Sequence, residues 1–204
     1  MTAKRVHQTI ARSVSRPYPK ELEGEIHLPS GRTMSVRPIK PDDEPALQLM
    51  IERLDAIDSR WRFFHVVKSL SHADAASFCR IDYDRQMALV VEDANGLAGV
   101  ARFYADADLA QAEFAILVRS DLKRQGIGTA LLSLLIDVAR RRGIGALVGD
   151  VMNENVPMRG LCLSLGLRAE RHPDDSALSR MRMQLGPLCS HNLLGGLQLP
   201  VRER

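Results

Sequence analysis

Apolar positions between residues 111 and 143 follow two different rhythms. Residues 112–118, AEFAILV, form a nearly continuous apolar run whose one charge, Glu113, stands near its start, and this predicts a buried strand. Further on, Ile127, Ala130, Leu131, Leu134, Leu135 and Val138 recur at the spacing of a single wide helical face. Thr129, Ser133, Asp137 and Arg140 fall on the opposite side. Arg140, Arg141 and Arg142 fill the last turn, where cations suit the helix dipole, and Gly143 is placed to end it.

The flanking segments carry similar signals. Residues 1–16 read as a basic, weakly patterned arm. Two strands around Pro29-Ser30-Gly31-Arg32 predict a hairpin whose second strand alternates Met34, Val36 and Pro38 with polar neighbours. Prolines and acids over 40–45 open a helix with Leu47, Met50, Ile51 and Leu54 as its buried stripe. Residues 58–65 form a short helix or turn, and Ser71 caps a helix over 72–79. Strands 86–93 and 97–104 turn through Asp93-Ala94-Asn95-Gly96. A strand over 146–152, a helix over 157–165 and strands over 167–172 and 178–185 complete one domain spanning 17–185, with 186–204 as a tail.

The segment Lys123-Arg124-Gln125-Gly126-Ile127-Gly128-Thr129 joins the strand to the helix. Its glycines let a ligand approach the main chain, and the unpaired amides of the first helical turn point outward, which makes an anion site. The Walker pattern is absent, and the dinucleotide pattern needs a third glycine where Leu131 stands. A ligand-free glycine turn is the plain alternative.

Residues 122–132, LKRQGIGTALL, resemble the acyl-CoA pyrophosphate loop of the GNAT acetyltransferase superfamily, [QR]-x-x-G-x-[GA], with Lys123 in the place of Gln or Arg. Residues 155–167 are similar to the family segment N-x-x-A-x-x-x-Y-x-x-x-G-F, with Asn155 and Gly166 matching and Cys162 at the tyrosine. Pro17-Tyr18-Pro19, residues 36–45, 60–64 and 70–72, and Ile81-Asp82-Tyr83-Asp84-Arg85-Gln86 resemble bacterial Pat-type protein lysine acetyltransferases, which usually have Glu where this chain has Gln86. AEFA at 112–115 fits the same pattern, so the likeness covers about residues 17–185.

The resemblance implies an α/β GNAT fold: a mixed, mostly antiparallel sheet that splays beside the 112–118 strand, with helices on both faces. It implies acetyl-CoA as cosubstrate, its diphosphate on the amides of Lys123, Arg124, Gln125, Gly126, Ile127, Gly128 and Thr129. The pantetheine arm would lie along the backbone of Ile116, Leu117 and Val118, with Asn155 as a further contact. Asn155 is equally suited to starting the helix before Pro157. Many Pat-type domains are fused to an acyl-CoA synthetase-like or cyclic-nucleotide-binding region, and this chain is expected to lack both.

Composition narrows the picture only slightly. The chain has 204 residues and a net charge of +3, which gives no strong footprint for nucleic acid or a membrane. Its three cysteines have neither disulfide nor metal spacing, and no apolar run reaches transmembrane length. A soluble, cytoplasmic protein without a metal is expected. Nothing in the pattern sets an oligomeric state.

A lysine amine with a pKa of about 10.4 costs about 4–5 kcal/mol to deprotonate at pH 7. An enzyme acetylating amines therefore needs a proton acceptor. Glu113, the lone carboxylate of an apolar strand, is the candidate, and the resemblance places the general base at this glutamate. The alternative is a solvated or ion-paired Glu. Direct attack on the thioester, polarised by the Val118 amide, is the simplest scheme. The expected acceptor is a protein lysine; a small amine or polyamine, and a non-catalytic acyl-CoA sensor, are the alternatives. Cys162, where many GNAT enzymes have a tyrosine, is expected to pack in the core, with proton donation to the leaving thiolate as the alternative. Asp82, Asp84 and Arg85 form a polar knot on the resemblance's substrate side. The 140–142 arginines read as a solvated helix end, with contact to the cofactor's 3′-phosphate as the alternative, and His65, His72 and His172 as surface or packing residues.

Overall fold

The computed structural model describes residues 15–186. Most of the expected arm and tail lies outside the described residues. The chain forms strands β1 (Gly24–His27) and β2 (Thr33–Pro38), then helices α1 (Glu44–Glu52), α2 (Ala56–Phe63) and α3 (His72–Cys79). Strands β3 (Gln86–Asp93), β4 (Gly96–Ala105) and β5 (Ala112–Val118) lead into helix α4 (Ile127–Arg141). Strand β6 (Ala146–Met152), helix α5 (Val156–Ser164) and strands β7 (Arg168–Arg171) and β8 (Leu178–Gln184) follow.

The eight strands make one sheet in the order β1-β2-β3-β4-β5-β6-β8-β7. Every neighbouring pair is antiparallel except β5 and β6. Side chains alternate across this sheet and build two cores. Met87, Leu89, Ala101, Phe103 and Phe114 meet α4 on one face, where Cys162 of α5 joins the same cluster. Ala88, Val90, Val100 and Leu117 pack with Leu47, Met50, Ile51 and Cys79 of α1 and α3 on the other. The expected alternation of β2 holds, with Met34, Val36 and Pro38 buried.

Helix α4 is buried more widely than its single stripe suggests. Leu132, Ile136 and Ala139 are inside too, in one cluster with Ile26, Leu28 and Met34 from the first hairpin. That hairpin bends over the start of α4, where its Pro29 approaches Gly126.

The feature that creates a site is the brevity of the parallel pairing. Strands β5 and β6 register only at Ala112↔Leu147 and Glu113↔Val148, then diverge. At the divergence the Phe114 ring occupies the space beside Gly149, where an added Cβ would lie 2.6 Å from Phe114 Cε1. Among the described residues, no helix is long and apolar enough to cross a membrane, and no cluster of three metal-ligating side chains occurs.

Candidate functional site

The divergence opens a cleft of about 460 Å³, lined by β5, the start of α4, β6, α5 and α2. Its first wall is the free edge of β5. The Arg119 amide bonds to the Ala98 carbonyl at 2.9 Å, so alternation turns the main-chain groups of Leu117 and Ala115 toward β4 as well. The groups of Ile116 and Val118 therefore face the cleft, with no strand opposite them. Of the three residues expected to offer backbone bonds, Leu117 instead spends its main chain on Val100 of β4 and contributes side-chain surface.

The second wall is the turn into α4. Arg124 and Gly126 both adopt left-handed conformations, with φ of 59° and 93°, which reverses the chain within three residues. The first helical donor with a partner is Ala130, bonded to the Gly126 carbonyl at 3.0 Å. The amides of Ile127, Gly128 and Thr129 precede it and have no acceptor within the helix. The Ile127 side chain is fully buried, so only its main chain can meet a ligand. Gly128 lines the cleft, and a Cβ there would stand 3.1 Å from Leu161 Cδ1 and 3.7 Å from Val118 Cγ2. The narrow gap between the β5 edge and α5 thus survives because Gly128 lacks a side chain.

Helix α2 crosses the mouth and is fastened on both sides. The buried Asp58 carboxylate accepts from Lys123 Nζ and, at 2.6 Å, from Ser120 Oγ. Arg60 pairs with Glu154 beyond β6 at 2.9 Å. Lys123 also lies over the Trp61 ring, 5.1 Å from its centroid. Its ammonium is committed to α2, whereas the exposed Arg124 has its side chain available to the cleft. Trp61 lines the cleft with a buried indole Nε1 that has no hydrogen-bond partner, a donor suited to a ligand carbonyl.

Glu113 stands at the apex of the divergence. Its side chain keeps access to water through the cleft, but surrounding protein raises its pKa above the usual carboxylate value. Asp150 reinforces this rise, while Arg62 of α2 and Arg180 of β8 oppose it. Burial in turn lowers the pKa of Arg62, and Glu113 offsets part of that effect. Tyr104 is the cross-strand neighbour of Glu113 on β4.

Several of these residues carry no signal in the sequence. Asp150 and Arg180 oppose each other across β6 and β8, and His172 joins them, its Nε2 3.1 Å from Asp150 Oδ2. His172 is therefore not a surface or general packing residue but part of a charged cluster at the cleft. Period-two alternation could have put Asp150 and Glu113 on matching faces, but only the strand register brings them together.

The remaining candidates divide cleanly. Asn155 caps α5 by accepting from the Met158 amide at 3.1 Å and also lines the cleft. Cys162 is fully buried, and burial pushes its thiol up to about 12. Asp82 accepts from the amides of Asp84 and Gln86 at 2.9 and 2.8 Å, so the polar knot shapes its own loop. Arg142 is half-buried rather than solvated, donating to the Asp84 carbonyl at 2.5 Å. It sits at the far end of α4, about 20 Å from the glycine turn at 1.5 Å per residue. His72 pairs with Glu44 at the surface.

This geometry offers an extended ligand a free strand edge, an amide-rich turn for an anion, and a carboxylate at the inner end. Residues 53–167 match the model of the Acetyltransferase (GNAT) family. The chain is 33% identical to Acetyltransferase PA5475 of Pseudomonas aeruginosa over 162 residues, covering 78% of this chain and 87% of that protein. It superposes on the GNAT domain of S. lividans PAT with a TM-score of 0.78 and 26% identity, covering 83% of this chain and 100% of that one. The fold also matches yncA from Salmonella typhimurium, solved with its cofactor acetyl-CoA, with a TM-score of 0.61 at 20% identity. That comparison spans 78% of this chain and 98% of the other.

Proposed function

The chain belongs to the acetyltransferase (GNAT) family and is an acetyl-CoA-dependent N-acetyltransferase; from this premise we propose that Glu113 is its general base and a protein lysine its acceptor. The observation that carries this reading is the strand divergence at Glu113. It sets the one carboxylate of β5 at the inner end of a cleft whose walls suit the cosubstrate.

The residues present fit acetyl-CoA. The amides of residues 124–129 and the Arg124 guanidinium would hold the diphosphate, and the Gly128 gap admits a narrow chain beside it. The open main-chain groups of Ile116 and Val118 would bond the pantetheine arm, with Asn155 across from them. Lys123 belongs to this site through its amide, since its side chain is engaged by Asp58. Bound acetyl-CoA supplies an acyl group activated as a thioester. Glu113 would accept the proton that the attacking nitrogen must lose, directly or through water. The open edge at Val118 would stabilise negative charge on the acyl oxygen. A separate acid for the thiolate is not needed, which agrees with Cys162 lying in the core outside the cleft.

A macromolecular acceptor is favoured by the rim. Phe64, at 48% exposure, lines the cleft, and Ile57 and Val66 on the same segment are 52% and 49% exposed. Apolar side chains left bare around a polar centre suit a protein surface better than a small hydrophilic amine. The test is incubation with radiolabelled acetyl-CoA and cell lysate beside a panel of small amines and polyamines. Label in protein bands, lost with Glu113→Gln, is the expected result. Label in small amines alone would overturn the lysine assignment. Acetyl-CoA binding with no transfer to either would identify a sensor.

A further inference from the structure

Asp150 is a carboxylate surrounded by donors yet open to the cleft. It lies two residues past Val148, the partner of Glu113, so its side chain leaves the same face of the sheet. Arg180 grips it at two points, Nε to Oδ1 at 2.9 Å and Nη2 to Oδ2 at 3.1 Å, which fixes the carboxylate plane. His172 completes the clamp, and its tautomer follows from the geometry. The amides of Asp174 and Asp175 donate to Nδ1 at 3.2 and 3.0 Å. Nδ1 is therefore an acceptor and the proton sits on Nε2. Nε2 then donates to Asp150 Oδ2 at 3.1 Å. Arg180 Nη2 is also 3.1 Å from Nε2, because both donors converge on the same oxygen.

We propose, on the reading that Glu113 is the base, that Asp150 is its positioning residue: a clamped negative charge across the divergence that makes Glu113 the resting place of the acceptor's proton. The groups facing Glu113 are few enough to apportion. Arg62 projects from α2, Tyr104 stands cross-strand on β4 and Asp150 comes from β6, while β8 supplies Arg180 and Arg182, the latter opposite Val148 and donating to Gln111 Oε1 at 2.9 Å. Asp150 is the carboxylate among them, and it favours the protonated form of Glu113, whereas Arg62 and Arg180 favour the ionised form. Arg180 acts twice, opposing Asp150 by its charge while holding it in place. An unclamped aspartate could swing into the cleft, pair with the incoming ammonium and compete with the base.

The test is a titration of the Glu113 carboxyl by carbon-13 NMR in the full chain, with the resonance assigned by its absence in Glu113→Gln. Asp150→Asn should move the midpoint to lower pH, and Arg180→Gln should move it to higher pH. A merely structural clamp predicts no such opposed pair. Transfer of label from acetyl-CoA to lysate proteins at neutral pH should fall about three- to ten-fold in Asp150→Asn, because base strength enters through a Brønsted slope. Acetyl-CoA affinity should stay unchanged. A midpoint that does not fall in Asp150→Asn overturns the proposal. If Asp150→Asn does not fold, Asp150→Ser, which removes the same charge, decides instead: a lower midpoint supports the proposal, and an unmoved or higher one overturns it. Failure of the base reading would appear separately, as full turnover in Glu113→Gln.

Discussion

Glu113 sits opposite Val148, and beyond this pair β5 and β6 share no further register. One residue thus belongs both to the last rung of a sheet and to the first wall of a cleft. The rung restrains the backbone of Glu113, and the cleft keeps its carboxylate in contact with water. Immediately afterwards the Phe114 ring packs against Gly149, in the space a side chain there would fill.

Replacing Glu113 with Gln should reduce turnover about 10²- to 10⁴-fold, the usual contribution of a positioned base. Acetyl-CoA affinity by calorimetry should be unaltered. In the parent protein the rate should rise with pH above the ordinary glutamate range, since burial and then Asp150 raise this pKa. Stability follows the opposite sign. A carboxyl whose folded pKa is raised binds its proton more tightly when folded, so its contribution is lost as pH climbs from the unfolded to the folded pKa. Glu113→Gln should therefore melt at a higher temperature than the parent at neutral pH, with the difference vanishing below the unfolded pKa.

The two glycines of the turn should fail in different ways. Gly126 has a φ of 93°, and an added Cβ would lie 2.7 Å from Pro29 Cδ, so Gly126→Ala should cost about 1–3 kcal/mol of stability. Gly128→Val instead fills the gap between Val118 and Leu161. It should retain most of the melting temperature and lose acetyl-CoA binding, which parallel melts and titrations would separate.

Lys123→Met should weaken acetyl-CoA binding less than about three-fold, because its ammonium already serves Asp58 and in the proposed site the main chain holds the diphosphate. Asp58→Ala should be the more damaging change. It removes a buried carboxylate that accepts two charge-assisted hydrogen bonds, at a cost of about 2–3 kcal/mol in denaturant unfolding. With α2 loosened, the Michaelis constant for the acceptor should rise.

Cys162→Ser should leave the pH–rate profile in place, since the thiol is core and held near 12 by burial. The new hydroxyl would be buried among apolar neighbours and should destabilise the fold by about 1–3 kcal/mol. A thiol reagent should label Cys162 only after denaturation. Fast labelling of the native thiol would contradict this.

Much of the architecture was legible because it is local. The run at 112–118, the periodicity from Ile127 and the Ser71 cap all reflect hydrogen bonding and burial within a few residues, and all three reappear in the structure. The glycine turn was legible for the same reason, since its left-handed glycine, Gly126, and its free amides lie within one short segment. The side-chain partners were not. Lys123 reads as a position of the anion-binding turn, but Asp58, distant in sequence, takes its ammonium. Arg142 reads as solvated, but a loop carbonyl near Asp84 receives it.

The sequence by itself determined which segments become strands and helices and where an amide-lined turn must stand, because periodicity and main-chain geometry act over neighbouring residues. The tertiary structure alone decided that β5 and β6 part at Glu113 and that Asp150, His172 and Arg180 gather beside it. Strand register and electrostatic neighbourhood are set by contacts between distant segments, and no local pattern records them.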